Sequence, residues 1–246
     1  MKPLIIKSTL LCQFDNLVHG ISTILGGENE SPFKFNLSKN IGDDETVVSR
    51  NCQVFFDSLC VTKEDVVLQH QVHGCRVSYV ESSNFIQEND AMITDKANLY
   101  LVVNVADCIP ILMFEPNKRI TAAVHTGWRG TEKEILSQTL DRIEKDFGVK
   151  PKDLFVYFGP SICKNCFEVD YDISQKFPSE FVTSNEKKYL IDLVGINSMV
   201  LKQRGIQDNR IQISALCTFE MKNLLHSYRR DKNKSGRMFA VIGMKN

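Results

Sequence analysis

Three apolar runs crowd one stretch of this chain, at residues 100–105, 109–114 and 120–124, with only short polar breaks between them. Each is shorter than the roughly 10–12 residues a buried helix takes and rich in β-branched or aromatic side chains, so each reads as a strand buried on both faces. The break Glu115-Pro116-Asn117-Lys118 has turn chemistry, which folds the second and third runs into a hairpin. A chain with such strands must cover both faces of a sheet.

The covering elements are also legible. Asp43-Asp44 caps a segment whose Val48, Cys52, Phe55, Phe56 and Leu59 follow helical spacing. Thr131 and Glu134 have the spacing of a capping box ahead of the stripe Leu136, Leu140, Ile143 and Phe147, which stops at Gly148. Residues 192–204 read as another helix ending at Gly205. Strands are expected at 66–73, stopping at Gly74, and at 76–80, 154–158, 211–216 and 238–244. Mixed strand and helix order implies an α+β fold, a mixed sheet sandwich flanked by helices. With no repeat, low-complexity tract or linker, residues 1–246 are expected to form a single domain.

Composition narrows the function classes. Lys and Arg together number 30, as do Asp and Glu, so no global field draws the chain to nucleic acid or an anionic membrane. The opening residues lack the apolar core and cleavage site of a signal peptide and no run reaches membrane-spanning length, which makes the cytoplasm the expected address. The eight cysteines are scattered through a chain with 43% hydrophobic residues, enough for a core without disulfides, so reduced thiols are expected. Cys163-Lys164-Asn165-Cys166 has zinc or redox spacing but lacks a second such pair, and reads as packing or substrate-loop cysteines.

A two-residue hairpin loop at Pro116-Asn117 would pair Glu115 with Lys118 and, counting outward, place Cys108 directly opposite His125. Such neighbours have β-carbons about 4.5–5.5 Å apart, which suits two ligands of one ion. Pro110 permits a bulge that would shift this register. His73, expected at a strand end, is the natural third ligand, since catalytic zinc commonly takes three protein ligands and leaves a fourth position open. Spacing alone leaves the alternative of a hydrogen-bonded histidine and a packed cysteine.

Longer motifs then follow in order: His19-Gly20-Ile21-Ser22-Thr23, Gln71-Val72-His73-Gly74, Asp90-Ala91, Ala106-Asp107-Cys108-Ile109-Pro110, His125-Thr126-Gly127-Trp128-Arg129-Gly130, Gly159-Pro160-Ser161-Ile162, Cys217-Thr218 and Ser227-Tyr228-Arg229-Arg230-Asp231. In these the chain resembles the purine nucleoside phosphorylase family formerly called laccase-like or multicopper polyphenol oxidoreductases, from about residue 18 onward. The resemblance implies a zinc enzyme with His73, Cys108 and His125 as ligands. It would phosphorolyse adenosine, inosine, guanosine and methylthioadenosine and deaminate adenosine, with purine nucleosides and phosphate as its small-molecule partners.

Zinc with an open position can activate water for attack at C6 of adenine. Cys108 and Asp107 are the catalytic candidates, although strand alternation points Asp107 away from Cys108 unless a bulge intervenes. Asp107 equally suits orienting a ligand histidine or capping a turn. Gln71, Arg129 and Arg229 are the substrate-binding candidates, with Arg129 near a helix N-terminus that favours an anion. Arg230 and Arg237 lie in the same basic stretch. The chain departs from its relatives at Ile24, where they carry arginine, and at Lys164, where they carry proline. If that arginine binds an anion, phosphate affinity changes here.

Two rival activities stay open. A copper-dependent polyphenol oxidase needs more histidine ligands than the five present. A Cys108 nucleophile with His125 as base, or a zinc amidase, would act on amides such as cell-wall precursors. A metal-stabilised binding module without turnover is the non-enzymatic reading. Preferred nucleoside and oligomeric state are not encoded in any motif.

Overall fold

The computed structural model describes residues 2–27 and 32–246. Its frame is a sandwich of two six-stranded sheets. The first runs β1 (Ile5–Ile6), β2 (Leu17–Ser22), β15 (Met238–Met244), β7 (Tyr100–Val105), β3 (Val66–Gln69) and β5 (Phe85–Ile86). The second runs β14 (Ile211–Ile213), β10 (Phe155–Phe158), β8 (Ile109–Glu115), β9 (Ile120–Thr126), β6 (Ala91–Thr94) and β4 (Val77–Tyr79). Both mix parallel and antiparallel pairs, such as β3 with β7 and β8 with β9. A three-stranded antiparallel sheet, β11 (Glu168–Val169), β13 (Lys188–Ile191) and β12 (Val182–Asn185), completes the set.

Alternation along β7 and β15 explains the layering. Leu101, Val103, Ala240 and Ile242 point inward to meet Met92, Leu112, Phe114, Ala123 and Tyr157 of the second sheet. Tyr100, Val102, Phe239 and Val241 point outward and are covered by α1 (Glu45–Ser58) through Val48, Phe55 and Phe56. The outer face of the second sheet is covered by α3 (Ile135–Phe147) and α5 (Leu193–Gln203), with Leu136, Leu140, Ile143, Ile196 and Leu201 against Ile111, Met113, Ala122 and Val124. Because each sheet is covered twice, β7, β8, β9 and β15 are almost wholly buried and read as continuous apolar runs. The mixed α+β expectation holds.

The helix caps divide. Asp44 caps α1 by accepting from the N–H groups of Thr46 and Val47, and Asp192 caps α5 through the N–H of Gly195. The expected capping box at Thr131 and Glu134 does not form. A short helix, α2 (Trp128–Glu132), starts at Gly127 and takes in Thr131, while Glu134 adopts a left-handed backbone (φ 56°) at the start of α3 without a side-chain cap. Thr131 instead accepts from Asn197 Nδ2 at 2.9 Å, tying α2 to α5. α3 does end at Gly148, in the left-handed region (φ 62°). Two further short helices, α4 (Tyr171–Ser174) and α6 (Tyr228–Asp231), lie near the cleft described below. No helix among the described residues is long and apolar enough to cross a membrane.

Two strand readings need correction. β3 ends at Gln69, so residues 70–76 form a connection rather than the end of a strand, and His73 lies in it with a left-handed backbone (φ 56°). The β8–β9 loop spans 116–119, not two residues: Glu115 pairs with Ile120, and its carboxylate accepts from the N–H groups of Asn117 and Lys118. Pro110 is therefore opposite His125, and the same register extended one turn of the pleat puts Cys108 beside Gly127. The slip is two residues, which leaves every side chain on its own face.

Candidate metal centre

Cys108 lies in the short connection from β7 to β8, His125 is the penultimate residue of β9, and His73 belongs to the connection after β3. One donor atom from each falls within 4.8 Å of the other two, and the two imidazoles meet edge to face with centroids 4.8 Å apart. The three residues that the sequence suggested as ligands are thus brought together, on one side of the fold, and they could hold a metal ion. His125 is buried, Cys108 half-buried and His73 exposed, so the cluster opens to solvent on one side.

Gly127 makes this convergence possible. A β-carbon at that position would sit 2.7 Å from Cys108 Sγ and 3.7 Å from His73 Cδ2, closer to sulfur than atoms pack. Only glycine lets the β9–α2 turn pass so near.

The organising residue is Asp90, which no sequence pattern marked for a role. Asp90, fully buried, accepts from His125 Nδ1 at 2.9 Å and from the N–H groups of His73 (3.1 Å) and Gly74 (2.7 Å). One carboxylate therefore fixes the ring of one candidate ligand and the loop of another, as partners behind metal ligands characteristically do. With the proton of His125 held on Nδ1, Nε2 keeps the lone pair a metal requires. Asp90-Ala91 was visible as a motif, but a single acidic residue before a strand carries no local signal of its partner across β9.

Electrostatics follow from this packing. Burial opposes the charged form of Asp90, yet His125 and the N–H groups of Gly74 and Val72 hold its carboxyl below the ordinary value. Burial alone would push the Cys108 thiol up, but the imidazoles of His125 and His73 outweigh it and bring it down to about 6. Burial would likewise lower His125, but Cys108 and Asp90 hold it up to about 9. The two shifts run in the directions that favour Cys108 as thiolate beside His125 as imidazolium.

The cluster lies in a cleft of about 890 Å³. Arg129, Arg229, Arg237, Lys188 and Lys232 are among its lining residues, as are Phe167, Trp128 and Tyr228, giving it cationic and aromatic walls. Arg129 is exposed, stacks over Trp128 at 4.2 Å, and its guanidinium has no hydrogen-bond or ion-pair partner among the described residues. Burial draws the Arg237 guanidinium below its usual range, offset in part by Cys108 and Asp107, and it remains cationic at neutral pH.

Arg237 also donates from Nη1 to the Ser235 and Gly236 carbonyls, and the other candidates are likewise more committed than Arg129. Asp107 lines the cleft with a strained backbone (φ 90°), and its carboxylate accepts from Thr218 Oγ1 and from the backbone N–H of Arg229, each at 2.6 Å. Arg229 donates from its guanidinium to the Glu168 carbonyl and stacks over Phe167 at 5.3 Å. Gln71 exchanges two hydrogen bonds with the Asn104 backbone. Asn104 itself lines the cleft, and its Oδ1 is buried without a partner among the described residues. Asn104 is the one amide in the apolar run 100–105, but what it faces depends on the cleft formed by distant segments. Ile24 is buried and lines a separate depression of about 620 Å³ with Lys34, Lys222, His226 and Arg230. It is not part of the cleft lining, so the departure at this position leaves the cleft's own cations in place.

A family model described as multi-copper polyphenol oxidoreductase laccase matches residues 18–245. Among curated proteins, the chain is 33% identical to a purine nucleoside phosphorylase of Haemophilus influenzae, covering 92% of this chain and 93% of that one. It is 31% identical to a purine nucleoside phosphorylase of Deinococcus radiodurans (92% and 88% covered) and 30% identical to purine nucleoside phosphorylase YlmD of Bacillus subtilis (93% and 89%). Among solved structures, YlmD from Geobacillus stearothermophilus superposes with a TM-score of 0.91 at 28% identity, covering 100% of this chain and 97% of that one. A hypothetical protein YfiH from Bacillus licheniformis gives the same TM-score at 29% identity (99% and 97% covered).

Proposed function

The chain belongs to the multi-copper polyphenol oxidoreductase laccase family, and from that membership we propose that it is a zinc-dependent purine nucleoside phosphorylase that also deaminates adenosine. The observation that carries this reading is the convergence of two imidazoles and one sulfur within 4.8 Å at a cleft with cationic and aromatic walls. The names of the curated relatives support the phosphorylase part of it.

The donor set fits zinc. Two nitrogens and one thiolate suit a borderline-soft ion and leave a fourth position for water or substrate. Copper chemistry of the multinuclear kind needs more imidazoles than the cleft offers. Of the five histidines, His19 is buried and bonded to the Ser8 backbone, and His226 is buried beside Gly236. A bound zinc would supply Lewis-acid polarisation and activation of water.

The protein's own groups do the rest. Arg129, with its unpartnered guanidinium, and Arg237 bind phosphate and hold it against the sugar. Phe167, Trp128 and Tyr228 offer faces on which a purine stacks, and Asn104 Oδ1 is an acceptor for an N–H of the base. Asp107 acts as a positioning residue: both of its hydrogen bonds are spent on the Thr218 and Arg229 segments, which keeps Arg229 and Tyr228 at the cleft wall. Gln71 similarly holds the end of β7. Phosphorolysis passes through a cation-like sugar, so an anion placed at C1 and stabilisation of the departing base are the two contributions required. The whole chain acts as one cytoplasmic domain.

A second reading rests on the thiolate–imidazolium pair, which would also arm Cys108 as a nucleophile in an amidase. Adenosine and phosphate incubated with the protein, with and without chelator, separate the two. Adenine, ribose 1-phosphate and inosine formed only in the presence of zinc support the phosphorylase. Chelator-resistant hydrolysis of an added amide substrate such as a cell-wall peptide, abolished by thiol alkylation and with no purine product from adenosine, supports the amidase.

A further inference from the structure

A second group of metal-type donors lies apart from His73, Cys108 and His125. Cys163 and Cys166 flank a turn after β10, and Cys217 and Glu220 flank another after β14. One donor atom from each of the four falls within 4.8 Å of all the others. Glu220 Oε1 is 3.6 Å from Cys166 Sγ and 3.9 Å from Cys163 Sγ. Donors at tetrahedral corners around zinc, at about 2.3 Å for sulfur and 2.0 Å for oxygen, stand roughly 3.5–3.8 Å apart, so these edges are of the right length.

The backbone supports the same geometry. The Cys166 and Phe167 N–H groups both donate to the Cys163 carbonyl, and the Met221 N–H donates to the Cys217 carbonyl, so each ligand pair, three residues apart, projects from one tight turn. Ser161 and Cys217 form a parallel bridge, and Thr218 N–H donates to the Ser161 carbonyl, which clamps the two turns together. The Cys163 N–H donates to Cys217 Sγ at 3.3 Å, a further contact between the two turns. All three cysteines are free of disulfides. The spacing Cys163-x-x-Cys166 lacked a matching pair in the sequence because the second pair, Cys217-x-x-Glu220, replaces one sulfur with a carboxylate.

We propose that Cys163, Cys166, Cys217 and Glu220 form a second, structural zinc site that staples the two turns together. Four protein ligands close the coordination shell, as structural rather than catalytic zinc requires. The staple is placed to stiffen the cleft from outside it. The first turn runs directly into Phe167 and Glu168 of the cleft wall, and the second carries Thr218, whose hydroxyl donates to Asp107.

The test is metal stoichiometry. Reduced full-length protein charged with excess zinc and desalted should retain two zinc ions per chain by elemental analysis. The His73→Ala/Cys108→Ser variant should retain one, and the Cys163→Ser/Cys166→Ser variant should also retain one. Should the latter not fold, mass spectrometry of alkylated wild-type protein decides: zinc should protect Cys163, Cys166 and Cys217 from iodoacetamide, and Glu220→Gln should weaken that protection. A single zinc per chain that disappears with His73→Ala/Cys108→Ser overturns the proposal. So does alkylation of the three cysteines at equal rates with and without zinc, or a disulfide among them in the reduced preparation.

Discussion

The carboxylate of Asp90 lies 2.9 Å from His125 Nδ1 and at the same time accepts from the backbone N–H of His73, so two candidate ligands answer to one buried charge. Asp90→Asn preserves shape but presents an amide whose donor end can face Nδ1, drawing the proton toward Nε2 where the metal should bind. Zinc affinity should fall about 10–100-fold, the range found for such partners, with the fold retained. Competition against a chromogenic chelator measures it, and an unchanged affinity would remove Asp90 from the centre.

Metal binding should release protons in a defined pattern. Cys108 is lowered to about 6 and His125 raised to about 9, so between those values the thiol is already ionised and His125 still carries the proton zinc must displace. About one proton should leave per zinc at His73, Cys108 and His125, and affinity there should rise about tenfold per pH unit through that window. Below about 6 the slope should steepen as Cys108 also protonates. Calorimetry of Cys163→Ser/Cys166→Ser protein in buffers of differing ionisation enthalpy counts the protons; none or two at pH 7.5 contradicts the thiolate–imidazolium state.

Two buried histidines outside the candidate metal centre should set the acid limit of stability. Burial lowers His19 to about 4 and His226 to about 3. Their folded values lie below the unfolded value near 6.5, so the folded state loses stability as pH falls through 6.5 toward those values. The loss is on the order of 3 kcal/mol for His19 and on the order of 5 kcal/mol for His226 by the low end. His19→Gln, which keeps an acceptor for the Ser8 N–H, should shrink the drop in unfolding free energy between pH 7 and pH 4.5. An undiminished drop would show that His19 does not titrate in this range.

Gly127→Ala should separate metal binding from folding. The added methyl meets Cys108 Sγ at 2.7 Å, so the sulfur must move, while overpacking of this kind costs about 1–3 kcal/mol. Elemental analysis should show loss of one zinc from protein that still unfolds cooperatively. Full metal content in the variant would mean the turn can open without cost.

Why some of this was legible in the chain and some was not is a matter of range. Short continuous apolar runs and helical spacing are local, so β7, β8, β9, β15, α1, α3 and α5 could be read from residues such as Leu101, Val102, Val48 and Leu140. Edge strands such as β1, β5 and β11, two residues each, are too short for any period to show. The hairpin register was missed because the Glu115 carboxylate closes a longer loop than the turn residues alone suggest. Cys108 and His125 still converged, since a two-residue slip preserves faces. Asp90, Asn104 and the pairing of Cys163 with Cys217 depend on contacts between distant segments, which leave no trace at either end.

The most direct measurement is a zinc titration of metal-free protein with inosine and phosphate, following ribose 1-phosphate. Turnover should be absent without metal, rise as zinc is added, and stay absent in His73→Ala protein at any loading. Ribose 1-phosphate formed at the full rate without metal, or none formed at any zinc loading, would contradict a zinc-dependent phosphorylase built on His73, Cys108 and His125.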